Sequence, residues 1–355
     1  MSDDQAPEGE SPAAPPGIFA AIDEENPPVL NPEVGQILAG IKLVDKLGEG
    51  AMATVFRAEV ADTGEPLAVK VLRAELCQNI DAMRRFDKEA LVVQAARHPN
   101  LVEITDVLHP EGFPPVLVME LLEGGDLHDG VKRKERFTAE EAIPVALQLC
   151  GALGAMHGIG IVHRDLKPEN VFLVGGADGF PIVKLLDFGL VKFLYGGDAF
   201  IHTRPDATIG TPAFMAPEQF DSPEVDNTAD IYALGAILYE MLTGRPPFLA
   251  ATPAEGYKKI MSEDPLPPSE RVEDPAAAGI TPALDAVVLR CLARRPEHRI
   301  QDCQELSDLL SACLEGGDVA LPDVPSERSK LVPILIGAAL VLVVLGGLMI
   351  LAWTS

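Results

Sequence analysis

Positive charge is scarce in this sequence. Its 355 residues contain 28 Lys and Arg against 54 Asp and Glu, which gives a formal net charge of −26. Because such an excess of negative charge repels the phosphate backbone of nucleic acids, we expect no nucleic-acid partner. The acidity alone is typical of a soluble surface that repels other copies of itself.

Cysteine is also sparse, and its spacing excludes two classes of protein. The five cysteines are far apart and form no Cys-x-x-Cys pair or Cys/His cluster, which argues against a disulfide scaffold and a structural zinc site. We expect reduced, mostly buried thiols in a cytoplasmic environment. The N-terminus also lacks the basic and then apolar pattern of a secretory signal peptide.

The first residues lack any hydrophobic periodicity. Residues 1–34 hold eight acidic residues, no Lys or Arg, and many prolines, so they predict a disordered acidic leader. Near the other end, residues 316–330 read as a linker.

One long apolar run follows that linker. Residues 331–353, LVPILIGAALVLVVLGGLMILAW, contain no charged residue. At about 1.5 Å per residue, a helix of this length covers the roughly 30 Å hydrocarbon core of a bilayer. Arg328, Lys330 and Trp353 stand where interfacial anchors are expected. We therefore predict a single C-terminal transmembrane helix with the preceding chain on the cytoplasmic side; the alternative is a buried C-terminal helix.

The chain between these ends changes character near residue 124. Before it, the segments IKLVDKLGEG, ATVFRAEVA, EPLAVKVL, LVEITDVL and PPVLVMELL predict strands, and residues 81–96 predict one helix. After it the pattern is helical. Thr138 and Glu141 predict a capping box at the start of a helix that extends to His157, and residues 230–243 predict a buried central helix.

The first strand pair carries a phosphate-binding signal. Gly48 and Gly50 stand between two strands, where the missing Cβ lets backbone N–H groups approach phosphate oxygens. Lys70 lies on an apolar strand and needs an anionic partner, for which Glu89 on the following helix is the candidate. Taken alone, these residues are more typical of an ordinary glycine hairpin and a surface lysine.

The segment IVHRDLKPENVFL concentrates polar residues between apolar ones. Asp165 and Asn170 are five residues apart, and Asp187 follows 22 residues after Asp165. The oxygens of Asn170 and Asp187 suit Mg²⁺ bound to a polyphosphate, which leaves Asp165 to accept a proton from an attacking hydroxyl. Lys167 could neutralise a transferring phosphoryl group. The alternative is a loop whose carboxylates cap helices.

These motifs occur in a fixed order and carry a family resemblance. The motifs in chain order are the Gly-rich loop, AVK, a helix Glu, HRDLKPEN, DFG, GTPAFMAPE, DIYALG and RRPEHR. The set resembles the eukaryotic-like (Hanks-type) serine/threonine protein kinases of bacteria, and LKPEN resembles the serine/threonine rather than the tyrosine branch. The resemblance implies an α+β, bilobal protein-kinase fold over residues 41–315. Residues 41–120 would form a small β-sheet N-lobe with one helix, and residues 121–315 a larger, mainly helical C-lobe.

The resemblance also implies a role for each matching residue. The expected catalytic residues are Asp165, Lys167, Lys70, Glu89 and Thr211. The residues expected to bind ATP are Leu47, Gly48, Gly50, Val55, Ala68, Lys70, Met119, Glu120, Leu122, Asp126, Asn170, Phe172 and Asp187. Asn170 and Asp187 would bind Mg²⁺. Asp230 would brace the catalytic loop, and Glu218 would form a buried ion pair with Arg299.

The activation loop implied by the resemblance spans residues 190–215. Arg164 precedes the expected base and, with Lys192, could bind a phosphate on this loop. Thr203 is the expected phosphorylation site and Thr208 the second candidate, although both fit plain loop residues as well.

The function implied is a membrane-tethered serine/threonine protein kinase that uses ATP and Mg²⁺ to phosphorylate protein substrates. We also expect two copies to meet for autophosphorylation, and localisation in a bacterial cell or inner membrane. The alternative is a catalytically silent pseudokinase that serves as a membrane scaffold; the presence of Lys70, Asp165, Asn170 and Asp187 favours activity. A small-molecule kinase of similar fold is a more distant alternative, since GTPAFMAPE favours a protein substrate.

Overall fold

A six-stranded antiparallel sheet forms the first part of the computed structural model, which describes residues 29–80, 82–84, 86–87, 95–176, 180–187, 212–222, 224–317 and 319. The strands are β1 (Ile37–Leu38), β2 (Ile41–Glu49), β3 (Ala53–Val60), β4 (Pro66–Leu72), β5 (Ile104–Leu108) and β6 (Val116–Met119). Their order in the sheet is β1-β2-β3-β4-β6-β5. The hairpin turn between β3 and β4 ends at Gly64, whose φ of +73° suits a glycine. The predicted N-lobe strands are confirmed.

The helix predicted over residues 81–96 lies between β4 and β5. Residues 82–84, 86–87 and 95–96 are helical, and Ala82, Phe86 and Ala96 are buried. Glu89 lies outside the described residues, so the predicted pair between Glu89 and Lys70 stays a prediction.

A second, three-stranded sheet begins the C-lobe. It consists of β7 (Gly124–Asp126), β8 (Val171–Val174) and β9 (Ile182–Leu185) in that order. The sequence analysis predicted a mainly helical C-lobe and none of these strands, so β7, β8 and β9 are additions to that prediction. Gly124 has a φ of +157°, and a Cβ there would lie 2.0 Å from the carbonyl oxygen of Leu173 on β8. A glycine is therefore required for the two strands to approach.

Helices form the rest of the described C-lobe. They are α1 (Leu127–Lys134), α2 (Ala139–His157), α3 (Glu218–Asp221), α4 (Thr228–Thr243), α5 (Pro253–Ser262), α6 (Pro282–Cys291) and α7 (Cys303–Leu314). At the start of α2, the Glu141 carboxylate accepts the backbone N–H of Thr138 at 3.1 Å, as the predicted capping pair requires. The prediction of a buried central helix is confirmed by α4, whose residues up to Leu242 are all buried.

Two hydrophobic cores hold these elements. The larger core joins α2, α4, α6 and α7 to the inner face of the N-lobe sheet, and the smaller core covers the other face of that sheet. Because the larger core runs through both lobes, it fixes the strands that carry the candidate site against the helical half. The two-lobed architecture expected from the sequence, a small sheet followed by a larger helical half, is confirmed.

The described part of the chain begins at residue 29. Residues 29–34, assigned by sequence to the disordered leader, contact the N-lobe. The Asn31 side-chain oxygen accepts the backbone N–H of Ala74 at 2.8 Å, so the ordered domain begins earlier than predicted.

The predicted transmembrane run, residues 331–353, lies outside the described residues. Within the described part of the chain, no helix has the length and apolar character needed to cross a membrane.

Candidate active site

An ion pair joins the two lobes at the centre of the candidate site. The Nζ atom of Lys70, on β4, lies 2.7 Å from Oδ1 of Asp187, which follows β9 after one residue. The charge of the Lys70 ammonium and its hydrogen bond lower the pKa of the Asp187 carboxyl. Asp187 is therefore ionised at neutral pH, as a metal ligand must be.

The expected catalytic base lies in the loop after α2. The Asp165 carboxylate is 3.5 Å from Nζ of Lys167, so a cation stands beside the base. The side-chain N–H of the buried Asn170 donates to the backbone carbonyl of Asp165 at 2.9 Å. This bond orients the Asn170 amide and leaves its oxygen as the atom that could bind a metal.

Asp230, the third residue of α4, holds the catalytic loop by its backbone. Its Oδ2 accepts the N–H of His163 at 2.7 Å, and its Oδ1 accepts the N–H of Arg164 at 2.9 Å. The same Oδ2 lies 2.8 Å from Nε2 of His157 at the end of α2. The expected bracing contact is thus present. His157 was missed, because nothing in its local sequence distinguishes it from any other residue at a helix end.

His163 connects the catalytic loop to the segment that carries Asp187. It is fully buried, and its Nε2 lies 3.3 Å from the carbonyl oxygen of Leu186. Burial lowers the pKa of His163, so the imidazole is neutral and acts as a structural hydrogen-bonding group. The loop that holds the expected base and the segment that holds Asp187 are therefore fixed to each other.

The glycine loop covers the site from the N-lobe. Gly48 pairs with Val55 across β2 and β3, and Val55 pairs with Lys70 across β3 and β4. A Cβ added at Gly48 would meet nothing within 4 Å, and neither Gly48 nor Gly50 has a positive φ. The glycines are therefore not required by an unusual turn. They leave the backbone surface open, which fits the approach of a phosphate.

The residues expected around the adenine come from both lobes. Ala68 on β4 pairs with Met119 on β6, and Phe172 lies on β8 opposite Lys184. Ala68 is buried, whereas Val55, Met119, Leu122 and Phe172 are partly buried and Leu47 is exposed. This is a mostly apolar set with open edges, as a nucleotide base requires.

Two expected ATP-contacting residues have further partners. The Glu120 carboxylate accepts from Nζ of Lys184 at 2.6 Å and from the backbone N–H of Glu103 at 2.8 Å. The Asp126 carboxylate accepts the backbone N–H of Asp129 at 2.8 Å and caps α1. Only one carboxylate oxygen of Asp126 is needed for this cap, so a contact with a ribose stays a prediction. Sequence analysis did not identify Lys184.

The expected structural ion pair is present in the C-lobe. Arg299 is buried, and its guanidinium contacts both oxygens of the Glu218 carboxylate at 2.6 and 2.7 Å. Its other N–H groups donate to the carbonyl oxygens of Thr228, Ala293 and Arg294. All five guanidinium donors are therefore satisfied, which makes the buried charge tolerable.

Several predicted residues lie outside the described part of the chain. They are Glu89, Lys192, Thr203, Thr208 and Thr211. Their expected roles stay predictions.

The donor set fits Mg²⁺ held together with a nucleotide. One carboxylate and one amide oxygen are hard ligands, but they are too few to bind this ion tightly without phosphate oxygens. Among the described residues, no group of three or more His, Cys, Asp and Glu side chains could hold a metal ion. The residues therefore fit a metal that arrives with ATP.

Comparisons with known proteins agree with this geometry. Residues 41–310 match the family model of the protein kinase domain. The serine/threonine-protein kinase Pkn1 of Myxococcus xanthus is 39% identical over 287 residues, which are 80% of this chain and 40% of that protein. The serine/threonine-protein kinase PknB of Mycobacterium leprae is 36% identical over 292 residues, which are 81% of this chain and 45% of that protein.

A solved structure gives the same result for the fold. The crystal structure of the Mycobacterium tuberculosis PknI kinase domain has a TM-score of 0.59 and 25% sequence identity, covering 80% of this chain and all of that one. The present chain spans less than half the length of the two curated relatives. The kinase-domain match covers most of the chain, and we conclude that the chain belongs to the protein kinase family.

Proposed function

We propose that this protein is a serine/threonine protein kinase that transfers the γ-phosphoryl group of ATP to hydroxyl groups of protein substrates. The observation that carries the proposal is the 2.7 Å contact between Lys70 and Asp187, which joins the N-lobe cation and the C-lobe carboxylate that are both expected at the phosphates of ATP. The names of the relatives, all serine/threonine-protein kinases, support the choice of substrate hydroxyl.

The chemistry assigned to the chain's own residues is mainly positioning and charge stabilisation. The substrate oxygen forms a bond to the γ-phosphorus while the bond from that phosphorus to the ADP oxygen breaks. Asp165 accepts the proton of the hydroxyl, and Lys167 offsets negative charge on the transferring group. Asn170 and Asp187 would hold Mg²⁺, which when bound neutralises charge on the phosphate oxygens.

One labelling assay tests both the proposed activity and the requirement for Mg²⁺. Incubating the full-length chain with labelled ATP and Mg²⁺ should place label on Ser or Thr of itself or of a generic acceptor such as myelin basic protein. Removing Mg²⁺ with EDTA should abolish the label. If no protein becomes labelled while the folded chain still binds ATP, the scaffold alternative is favoured.

Autophosphorylation of the activation loop is part of the proposal. Arg164 precedes the expected base and has a φ of +65°, a conformation that the contacts of its backbone with Asp230 maintain. A phosphate at Thr203 or Thr208 would bring nearly two negative charges to this arginine. We expect two copies of the chain to react with each other. Phosphopeptide mapping after incubation with ATP should find Thr203 modified first; absence of phosphate at both threonines contradicts this part.

Membrane tethering is the last part of the proposal. It is supported by the uncharged run 331–353 and by the flanking Arg328 and Lys330, which favour the cytoplasmic side for the kinase domain. When expressed in bacteria, the full-length chain should sediment with membranes and resist a carbonate wash, whereas a chain lacking 331–353 should be released. Full-length chain in the soluble fraction would contradict tethering.

A further inference from the structure

A chain of side-chain contacts leads from the last described helix to the catalytic loop. Cys303 is the first residue of α7, and its Sγ lies 3.5 Å from Nδ1 of His157 at the end of α2. The other ring nitrogen, Nε2, lies 2.8 Å from Oδ2 of Asp230. Asp230 in turn accepts the backbone N–H groups of His163 and Arg164. Three successive contacts thus lead from one thiol to the segment that carries Asp165.

The chemistry of the groups fixes the direction of the hydrogen bond between His157 and Asp230 and, for a neutral imidazole, of the bond between His157 and Cys303. Oδ2 of Asp230 already accepts a backbone N–H, and a carboxylate can only accept, so Nε2 of His157 must carry its proton and donate. In a neutral imidazole, Nδ1 is then the acceptor. Cys303 is buried, and burial raises the pKa of its thiol, so the S–H proton is retained. With a neutral imidazole, the thiol is therefore the donor to Nδ1.

We propose that Cys303 is a positioning residue for phosphoryl transfer: its S–H, together with Asp230, holds His157 in the Nε2–H tautomer, and His157 in this form holds Asp230 against the catalytic loop. The inference rests on the proposed kinase function for its effect on rate. Its structural part, the tautomer of His157, does not depend on that function.

The consequence of losing the thiol follows from the burial of Asp230. Without a donor at Nδ1, Asp230 alone favours the Nε2–H tautomer, so the other protonation forms of His157 gain population. The Nδ1–H tautomer would turn the Nε2 lone pair towards a carboxylate oxygen. Two acceptors in contact repel each other, and the nearly inaccessible Asp230 has little access to water that could compensate. Either His157 or Asp230 must then move, and the backbone N–H groups of the catalytic loop lose part of their support.

The test compares Cys303→Ala with Cys303→Ser in the full-length chain. Serine keeps a donor of similar size at the same place, whereas alanine removes it. Cys313→Ala is the matched control, because Cys313 is a second buried thiol of the same helix. Long-range nitrogen–proton NMR spectra of ¹⁵N-histidine-labelled protein report the tautomer, and the His157 signal is assigned by its absence in His157→Gln.

The wild type and Cys303→Ser should show the Nε2–H tautomer, and Cys303→Ala should show a mixture of tautomers or an imidazolium. The kcat of Cys303→Ala should fall about threefold to tenfold, the size of one lost hydrogen bond, with the KM for ATP unchanged. Cys303→Ser and Cys313→Ala should retain the wild-type kcat.

Three results would overturn the inference. They are an unchanged His157 tautomer in Cys303→Ala, an unchanged kcat in that variant, and a serine variant as impaired as the alanine variant. If even the wild type transfers no phosphate, the proposed function fails, but the NMR comparison still decides whether Cys303 sets the tautomer.

Discussion

The Lys70 ammonium and the Asp187 carboxylate lie 2.7 Å apart although 117 residues separate them in the chain. One comes from the N-lobe sheet and the other from the end of a C-lobe strand, so their contact defines the cleft between the lobes. The pair also accounts for a lysine on an otherwise apolar strand, because its charge is compensated there.

Lys70→Met should lower phosphoryl transfer by about 100-fold or more, because the variant loses the cation expected to contact the phosphates. Steady-state transfer from labelled ATP measures this effect, and thermal unfolding shows whether the fold is kept. Lys42→Met is the control, since Lys42 on the same sheet makes an exposed ion pair with Glu59. Equal activity in the two variants would contradict the assigned role of Lys70.

Glu218→Gln should lower the free energy of unfolding by about 3 kcal/mol, because it leaves the buried Arg299 guanidinium without its anionic partner. Urea unfolding of the folded chain measures this loss. The exposed Glu224 supplies the control, and Glu224→Gln should change the stability by less than about 0.5 kcal/mol. Similar stability of both variants would show that the ion pair is not a structural requirement.

Lys184→Met should raise the KM for ATP about threefold to tenfold with little change in kcat. Lys184, on β9, binds the Glu120 carboxylate. Loss of the lysine therefore frees the segment expected to meet the adenine edge, whereas the position of Asp165 is unchanged. Lys184→Arg should restore most of the affinity. A control is Lys134→Met, which breaks the exposed ion pair with Glu141. An effect on kcat alone would contradict a role in nucleotide positioning.

Glu240→Gln should change how stability depends on pH. Burial raises the pKa of Glu240 from 4.5 to about 7, and its Oε2 is a buried atom for which the described residues supply no hydrogen-bond partner. Because the folded-state pKa lies above the unfolded value, the stability that this group contributes is present below pH 4.5 and is lost as pH rises through about 7.

Melting temperatures of the wild type and Glu240→Gln should therefore diverge as pH rises through that window, with the variant the more stable protein at the upper end. Glu224→Gln again serves as the control, since an exposed carboxylate should give parallel curves. Parallel curves for Glu240→Gln would show that Glu240 is ionised in the fold throughout.

Local patterns made most of the fold predictable. Strands β2 and β3 place polar residues between apolar ones, β4 is a short apolar run with one lysine, and α4 is nearly all apolar. Strand β7 was missed because its three residues include two glycines and show no alternation. Its formation depends on a close contact with β8, more than 40 residues away, which a local pattern does not reveal.

The candidate site was predictable to the extent that motif order carries it. Lys70, Asp165, Asn170 and Asp187 were found because each belongs to a motif with a fixed place in the family. His157, Lys184 and Cys303 belong to no such motif, and their roles come from contacts between residues far apart in the chain. The thiol of Cys303 and the ring of His157 are separated by 146 residues.

The central claim is that Asp165 accepts the substrate proton in a site assembled from both lobes. The most direct measurement is the rate of phosphate transfer by the full-length wild type and by Asp165→Asn at saturating ATP and Mg²⁺, with equal unfolding temperatures as the check on folding. The account predicts a readily measured rate for the wild type and a rate lower by about 100-fold or more for the variant. Equal rates in the two proteins would contradict it.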